Sequence, residues 1–431
     1  TGRPLEYYFD FLNMSGIHRP VRLYCTEKTY LDDITVVPWI KGASGGVTVD
    51  CLVKGKYDSL RLTVLDHNGR AVAEVSGAKS SFKIAIPKCR FWSHESPYLY
   101  TLKTDILSAG AVVDEYPLSV GVRTVKISGN KFLLNGKPVY FTGASRHEDF
   151  PVIGRGVNEA VLVKDFSLMK WTNANSFRTS HYPHCEEELD LADRLGILII
   201  DEAPFVGAND WIHKIFVKGL VDDRTRKAHL AIIERQFHRD KNHPSVIMWS
   251  IADEPASNES AWVAYSKPLF AFLRKADGQK RPVSFATTSY DFQEKSGHLC
   301  DLILLNRYYG WYQRTGQIDN IEGPLSEELD RWYKKYKKPI IFEEFGADTI
   351  EGFHSHPPLI FSEEYQLELV KRTCKVLDSK PFVIGEHIWV LCDFATKQDI
   401  RRVSGNRKGI FNRIRQPKMA AHYLRERWAK K

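Results

Sequence analysis

The chain has 431 residues, too many for one ordinary hydrophobic core, so two or three domains are expected. With 43% hydrophobic and 26% charged residues it has the composition of a globular protein, and no run of about 18 apolar residues offers a membrane span. The net charge of +8 is spread along the chain with no nucleic-acid recognition motif beside it, which argues for a solvated basic surface and against nucleic-acid binding.

The first 28 residues fit neither of the patterns that follow and read as the end of something that precedes them. Residues 29–123 read as all-β. Runs such as Ile34–Val37, Leu60–Val64 and Tyr98–Leu107 are separated by turn signals at Gly42–Gly46 and Asp66–Gly69. About seven strands in about 95 residues suggest an immunoglobulin-like β-sandwich. From residue 124 apolar strands alternate with helical stretches. The strands are Val139–Ala144, Ala174–Arg178, Ile197–Ile200, Val246–Ile251, Val283–Ala286, Leu302–Leu305, Pro339–Phe342 and Val383–Trp389, with amphipathic runs at Glu187–Leu195 and Glu363–Leu377. Eight such strands fit a (β/α)8 TIM barrel over 124–431. A doubly wound open sheet would call for a Gly-rich phosphate turn after an early strand, and none is evident.

The seven cysteines are widely spaced and form no Cys-x-x-Cys, as expected of buried free thiols, and lean towards a reducing, cytoplasmic setting. Sequons at Asn13 and Asn258 pull weakly the other way. The start, Thr-Gly-Arg-Pro, carries no leader pattern.

Barrel enzymes place their chemistry where the strands end. Polar clusters there are Arg146–Asp149, Arg178–His181, Asp201-Glu202, Asp253-Glu254, Asn306–Tyr312, Glu343-Glu344 and Trp389–Asp393. Two carboxyls on opposite sides of a glycosidic carbon are what glycoside hydrolysis needs. The fourth and seventh strands lie across the mouth, so Glu254 and Glu344 can supply them, with Trp249, Trp311, Trp389 and the tyrosines as stacking faces. Periodicity alone ranks Asp201, Glu202, Glu254, Glu343 and Glu344 together. Strand alternation puts Glu343 and Glu344 on opposite sides, so one of them is expected to face the mouth. Arg178 and His181 could equally be a structural pair with Glu202.

At Asn242-His243-Pro244-Ser245 through Trp249-Ser250-Ile251-Ala252-Asp253-Glu254-Pro255 the sequence resembles glycoside hydrolase family 2, and within it the β-glucuronidases. Further matches are Tyr8–Asn13, Phe132–Pro138, Asn175–Pro183, Leu305–Tyr312 and Gly405–Gly409, so the resemblance covers nearly the whole chain. It implies Glu254 as acid/base and Glu344 as nucleophile, a retaining double displacement, and carboxyls about 5–5.5 Å apart. It also implies that Asn406 and Lys408 grip a sugar carboxylate, assisted by Arg402, and that Asp10, His147, Arg178, Asp253, Asn306, Tyr308, Tyr312 and Trp389 line the pocket. Tyr308 is expected to hydrogen-bond the nucleophile. No metal or organic cofactor is implied, and a homo-oligomer, dimer or tetramer, is.

The sequence departs from that pattern in four places. Asp253 stands where the family has Asn, a residue that accepts where an amide would donate, and reduced turnover is expected from it. Val390 replaces an Asn, and the stretch from Val206 to Arg224 looks short for an aglycone-covering loop, so bulky aglycones should be admitted. Only the last strands of an amino-terminal sandwich are recognisable, and such a remnant should expose apolar surface. Two other readings stand beside the glucuronidase: a β-galacturonidase or β-galactosidase of the same family, and a catalytically weak carbohydrate-binding protein.

Overall fold

The computed structural model describes residues 10–12, 14–209 and 214–431. Tyr8, Phe9 and the sequon Asn13 lie outside the described residues, as does 210–213 of the stretch expected to be a short loop.

Seven strands make the sandwich: β1 (Tyr30–Lys41), β2 (Ser44–Lys54), β3 (Ser59–Leu65), β4 (Ala71–Gly77), β5 (Ser81–Ile86), β6 (Tyr100–Ser108) and β7 (Ala111–Val120). They form two antiparallel sheets, β1-β2-β5 and β4-β3-β6-β7. Alternation makes the core: Val47 and Val49 of one sheet, and Leu60, Leu62 and Leu102 of the other, are completely buried. The first hairpin turns at Gly42, whose φ of +59° favours glycine.

A small antiparallel sheet follows, β8 (Val125–Ser128), β9 (Lys131–Leu134) and β10 (Lys137–Val139). Its Val125, Phe132 and Leu134 join Leu198, Ile200, Leu304 and Ile341 in one buried cluster, so it closes the foot of the barrel interior. The closed barrel runs β11 (Phe141–Arg146), β12 (Ser176–Thr179), β13 (Leu198–Glu202), β14 (Val246–Asp253), β15 (Val283–Thr287), β16 (Ile303–Asn306), β17 (Ile340–Glu344) and β18 (Val383–Ile388), with β18 pairing back to β11. Among the described residues seven α-helices surround it: α1 (Glu159–Trp171), α2 (Glu186–Leu195), α3 (Asp223–Asp240), α4 (Ser260–Ala276), α5 (Glu322–Tyr336), α6 (Glu363–Asp378) and α7 (Met419–Trp428). Among the described residues none of these helices follows β15 before β16. Local chemistry sets the helix ends: Asp222 accepts from the amides of Arg224 and Thr225 at the start of α3, and Gly196, φ +69°, stops α2.

The sandwich is fastened to the barrel by polar groups. Buried Arg123 donates to the carbonyls of Pro244 (2.9 Å) and Val246 (2.7 Å), while Asn242 accepts from the Val36 amide and donates to the Ile34 carbonyl, both at 2.9 Å. His243 is held by Asp193 at 2.6 Å. Of the Asn-His that opens the fourth-strand motif, Asn242 therefore serves the domain junction, and His243 ties the motif to α2 within the barrel.

On two points the structure corrects the reading of single residues. Cys25 is exposed and Cys89 half-buried, whereas Cys51, Cys185, Cys300, Cys374 and Cys392 are buried as expected. Trp249 does not face the mouth: it packs on Phe237 and donates to Asp277 at 3.0 Å in the layer between barrel and helices. In the leading segment Ile17, Val21, Leu23 and Tyr24 are each more than 80% exposed. No helix of the described residues is long and apolar enough to cross a membrane.

Candidate active site

The strand ends converge on Arg178 at the top of β12, a guanidinium with no exposed surface. Its Nη1 donates to Glu202 Oε2 at 2.8 Å and Asp253 Oδ1 at 2.9 Å, its Nη2 donates to Glu344, and its Nε lies 3.2 Å from Glu343. One buried cation thus organises carboxylates from three strands. Losing one partner of such an arrangement leaves a buried charge uncompensated and costs about 3–5 kcal/mol.

Glu343 and Glu344 both reach this cation, contrary to the expectation from alternation. The pairing of β16 with β17 runs from Leu305↔Phe342 to Asn306↔Glu344 and skips Glu343. This irregularity breaks the two-residue period and turns consecutive side chains to the same interior. In β13 the period holds. Glu202 faces Arg178, while Asp201 points outward to the neighbourhood of Asp240 and Arg239 and takes no part in the site.

Glu254 follows β14 immediately, with its φ at +46°, a left-handed backbone that a non-glycine residue adopts at some cost. Its amide donates to the Ala286 carbonyl at 2.9 Å, and Asn306 Nδ2 donates to its Oε1 at 2.9 Å. Tyr308 donates its hydroxyl proton to Glu344 Oε2 at 2.6 Å. Trp389 stacks on His181 with centroids 4.9 Å apart, and His181 Nδ1 meets Glu202 at 2.9 Å. His147 bonds Tyr182 at 3.1 Å, and its Nε2 has no hydrogen-bond partner among the described residues; burial pushes its pKa well below the ordinary range, so it is neutral.

The two glutamates differ in charge state. Burial, then the charges of Asp253 and Glu344, push Glu254 well above the usual carboxylate range, so it holds a proton near neutral pH. Glu344 is pushed up by burial and by Asp253, but Arg178 and His181 pull it back, leaving it at about 7. One carboxyl holding its proton opposite one that ionises near neutrality is a general acid facing a nucleophile.

Beside this pair lies a cationic corner. Lys408 Nζ is buried, 2.5 Å from Asp348 Oδ2, and sits 5.0–5.8 Å from the ring centres of Tyr312, Trp311 and Tyr308. Arg402 donates to Asp348 at 3.2 Å, to Tyr312, and to Asp10 at 2.6 Å, and Asn406 donates to Asp10 at 2.8 Å. The loop that carries these residues is held closely. A Cβ on Gly409 would lie 2.3 Å from the Asp393 amide nitrogen, and Asp393 Oδ1 accepts from both Gly409 N (2.8 Å) and Lys418 Nζ (2.9 Å).

Two family models match: "Glycosyl hydrolases family 2" over residues 29–123 and "Glycosyl hydrolases family 2, TIM barrel domain" over residues 125–431. The chain belongs to glycosyl hydrolases family 2. It is 44% identical to a beta-glucuronidase of Paenibacillus borealis, covering 99% of this chain and 72% of that protein. It is also 44% identical to the beta-glucuronidase of Canis lupus familiaris, covering 98% and 65%. The solved beta-D-glucuronidase of Dictyoglomus thermophilum superposes with a TM-score of 0.95 at 46% identity, covering 98% of this chain and 73% of that one.

Within this family 2 barrel, the residues singled out from sequence gather in two adjoining groups. Glu254, Glu344, Arg178, Asp253, Asn306, Tyr308 and Trp389 surround the carboxyl pair, and Asp10, Tyr312, Arg402, Asn406 and Lys408 form the cationic corner. His147 stands at the edge of the first group, 5.4 Å from the Trp389 ring. Trp311 is buried behind Lys408 and is not a free stacking face. Sequence reasoning missed Asp348, the partner of Lys408 and Arg402. Its only signal was a carboxylate four residues beyond Glu344.

His181, Asp253 and Glu344 offer ligand atoms within 4.8 Å of one another, but Arg178 already donates to two of them, so a dication would face a guanidinium.

Asp253 accepts from Arg178 and, at 3.4 Å, from Asn306. Its charge raises the pKa of both Glu254 and Glu344. Asp253→Asn removes that charge, so Glu344 should ionise at lower pH and the acid limb of kcat/KM should move down. At pH 6, below the value of about 7 for Glu344, kcat/KM on an aryl glucuronide should rise about threefold or more. An unchanged acid limb would show that Asp253 does not limit the nucleophile.

Proposed function

We propose that the chain hydrolyses β-D-glucuronides from the non-reducing end, with retention of configuration, by double displacement. The observation that carries this reading is the cationic corner of Lys408, Arg402 and Asn406 on the same mouth as a protonated Glu254 and an ionisable Glu344. A uronate carboxylate takes charge-assisted hydrogen bonds from such groups, which the neutral hydroxymethyl of a hexose cannot match, while Asp348 pairs the Lys408 ammonium in either case.

In the first step a Glu344 carboxylate oxygen attacks the anomeric carbon, the bond to the aglycone oxygen breaks, and Glu254 gives that oxygen its proton. Tyr308 and Arg178 orient the attacking carboxylate. In the second step the ionised Glu254 takes a proton from water. The water oxygen attacks the same carbon, the glycosyl ester breaks, and Glu344 leaves as a carboxylate. Two inversions give net retention.

The test compares hydrolysis of aryl β-D-glucuronide, β-D-galacturonide and β-D-galactoside. The chain should prefer the glucuronide. Lys408→Ala should cost about 100-fold in kcat/KM on the acidic sugars, the loss of a charge-assisted contact of about 2–3 kcal/mol, and little on the neutral one. Asp348→Asn should raise KM for the glucuronide with a smaller change in kcat, because it loosens the ammonium rather than the reacting carboxyls. Equal losses on all three sugars would place Lys408 outside carboxylate capture. Binding of a glucuronic-acid analogue without hydrolysis would favour the carbohydrate-binding reading.

Admission of bulky aglycones and assembly into a dimer or tetramer belong to the same proposal. The exposed apolar side chains of the leading segment support the assembly, and light scattering reads it.

A further inference from the structure

Lys418, the residue before α7, is buried and neither reacts nor meets the sugar in this scheme. An ammonium has three protons, and all three are given to protein acceptors: the Thr349 carbonyl, Asp393 Oδ1 and the Arg407 carbonyl, each at 2.9 Å. None is left for a ligand. The three acceptors belong to separate segments. Thr349 follows Asp348 in the loop after β17, Asp393 lies beyond β18, and Arg407 precedes Lys408. A hydrophobic side chain of similar volume would fill the same space without the cost of desolvating an ammonium. What it could not do is fix three acceptors at once.

Those segments carry the cationic corner. The Thr349 amide donates to the Arg407 carbonyl at 3.0 Å, and the Arg407 amide donates to Asp348 Oδ1 at 2.7 Å. Asp348 Oδ2 in turn holds the Lys408 ammonium. Gln366 on α6 grips the same two loops, with its Nε2 3.1–3.2 Å from the carbonyls of Ala347, Lys408 and Gly409.

We propose that Lys418, with Gln366, is a specificity-determining positioning residue: it locks the Asp348 and Lys408 loops together, so that the Lys408 ammonium stands where the carboxylate of a uronic acid must lie. This rests on the reading of the corner as the site of carboxylate capture. Lys408 has a flexible four-carbon stem, so its Nζ is placed by its backbone and by Asp348 rather than by its own stiffness. Asp348 is four residues beyond Glu344. The clamp therefore also sets the group that reads the sugar's carboxylate against the group that attacks its anomeric carbon. A neutral sugar draws nothing from that alignment.

The test is the inhibition of the full chain by two isofagomines, one carrying a carboxylate and one the neutral hydroxymethyl. The parent should bind the carboxylated compound more tightly. Lys418→Met, close in length and without donors, should weaken that compound about tenfold, part of the about 100-fold expected when the Lys408 contact is lost, and leave the neutral one within about twofold. Gln366→Met should move the ratio the same way, by about fivefold. On an aryl β-D-glucuronide the loss should fall on KM more than on kcat. In a Lys408→Ala background Lys418→Met should change the ratio little further, because the group it aims is gone. An unchanged ratio in Lys418→Met, equal weakening of both compounds, or losses that multiply with that of Lys408→Ala would each overturn the proposal. Should Lys418→Met fail to fold, Gln366→Met, alone and with Lys408→Ala, decides by the same criteria. A parent that does not distinguish the two compounds removes the carboxylate-capture reading itself, whereas a discriminating parent whose ratio survives Lys418→Met removes only the clamp.

Discussion

Glu344→Gln should lower kcat on an aryl β-D-glucuronide by about 10⁴-fold or more, with KM little changed, because it removes the atom that forms the covalent bond. The amide keeps the shape of the carboxylate and an oxygen that can still accept from Arg178 or Tyr308, so the fold and the binding of the sugar should survive. The informative comparison is the neighbour. Glu343 shares the same guanidinium but points its other contact at His387, away from the mouth. Glu343→Gln should therefore leave hydrolysis within about tenfold of the parent, far short of the loss from a missing nucleophile. If Glu343→Gln were the dead variant and Glu344→Gln the active one, the roles assigned to the two consecutive glutamates would be reversed.

Glu254→Gln should show its largest effect where the leaving group needs a proton most. On a simple phenyl or alkyl glucuronide the loss in kcat/KM should be about 10²–10⁴-fold, the usual contribution of a placed general acid. On a nitrophenyl glucuronide, whose departing oxygen is already a stable anion, the first step should be much less affected. The pH dependence gives a second reading. Burial beside Asp253 and Glu344 raises the Glu254 pKa, so its proton is present below that raised value and activity falls as pH rises through it. Glutamine has no such proton to lose, so the alkaline limb should disappear. A uniform loss across leaving groups, with the alkaline limb intact, would place the acid on another residue.

The architecture was legible because hydrophobic period is a local signal. The alternation of Leu60–Val64 and the apolar runs at Ile197–Ile200 or Val246–Ile251 became β3, β13 and β14 with ends displaced by a few residues. The two catalytic glutamates were legible as positions at strand ends, and resemblance supplied their roles. What failed was alternation at the site itself. In β17 the register slips at Glu343, and a one-residue irregularity is set by pairing with β16, which no window of sequence records. Trp249 precedes the acid closely and reads as a stacking face at the mouth, but its contacts with Phe237 and Asp277 place it on the helix side. Asp348 could not be found from spacing, since Lys408 and Arg402 lie 60 and 54 residues away in the chain. Nor could the contact of His387 with Glu343, joined across 44 residues inside the barrel.

The central claim is that Glu344 forms a glycosyl ester, and covalent trapping tests it most directly. A 2-deoxy-2-fluoro-β-D-glucuronyl fluoride has a good leaving group, while its C2 fluorine slows both steps through the oxocarbenium-like transition state, so the ester accumulates. Peptide mass spectrometry of the inactivated chain should find the fluorosugar on Glu344, with no label on the Glu344→Gln variant. Label on Glu343 or Glu254, or steady hydrolysis of glucuronides with no covalent species at all, would contradict the account.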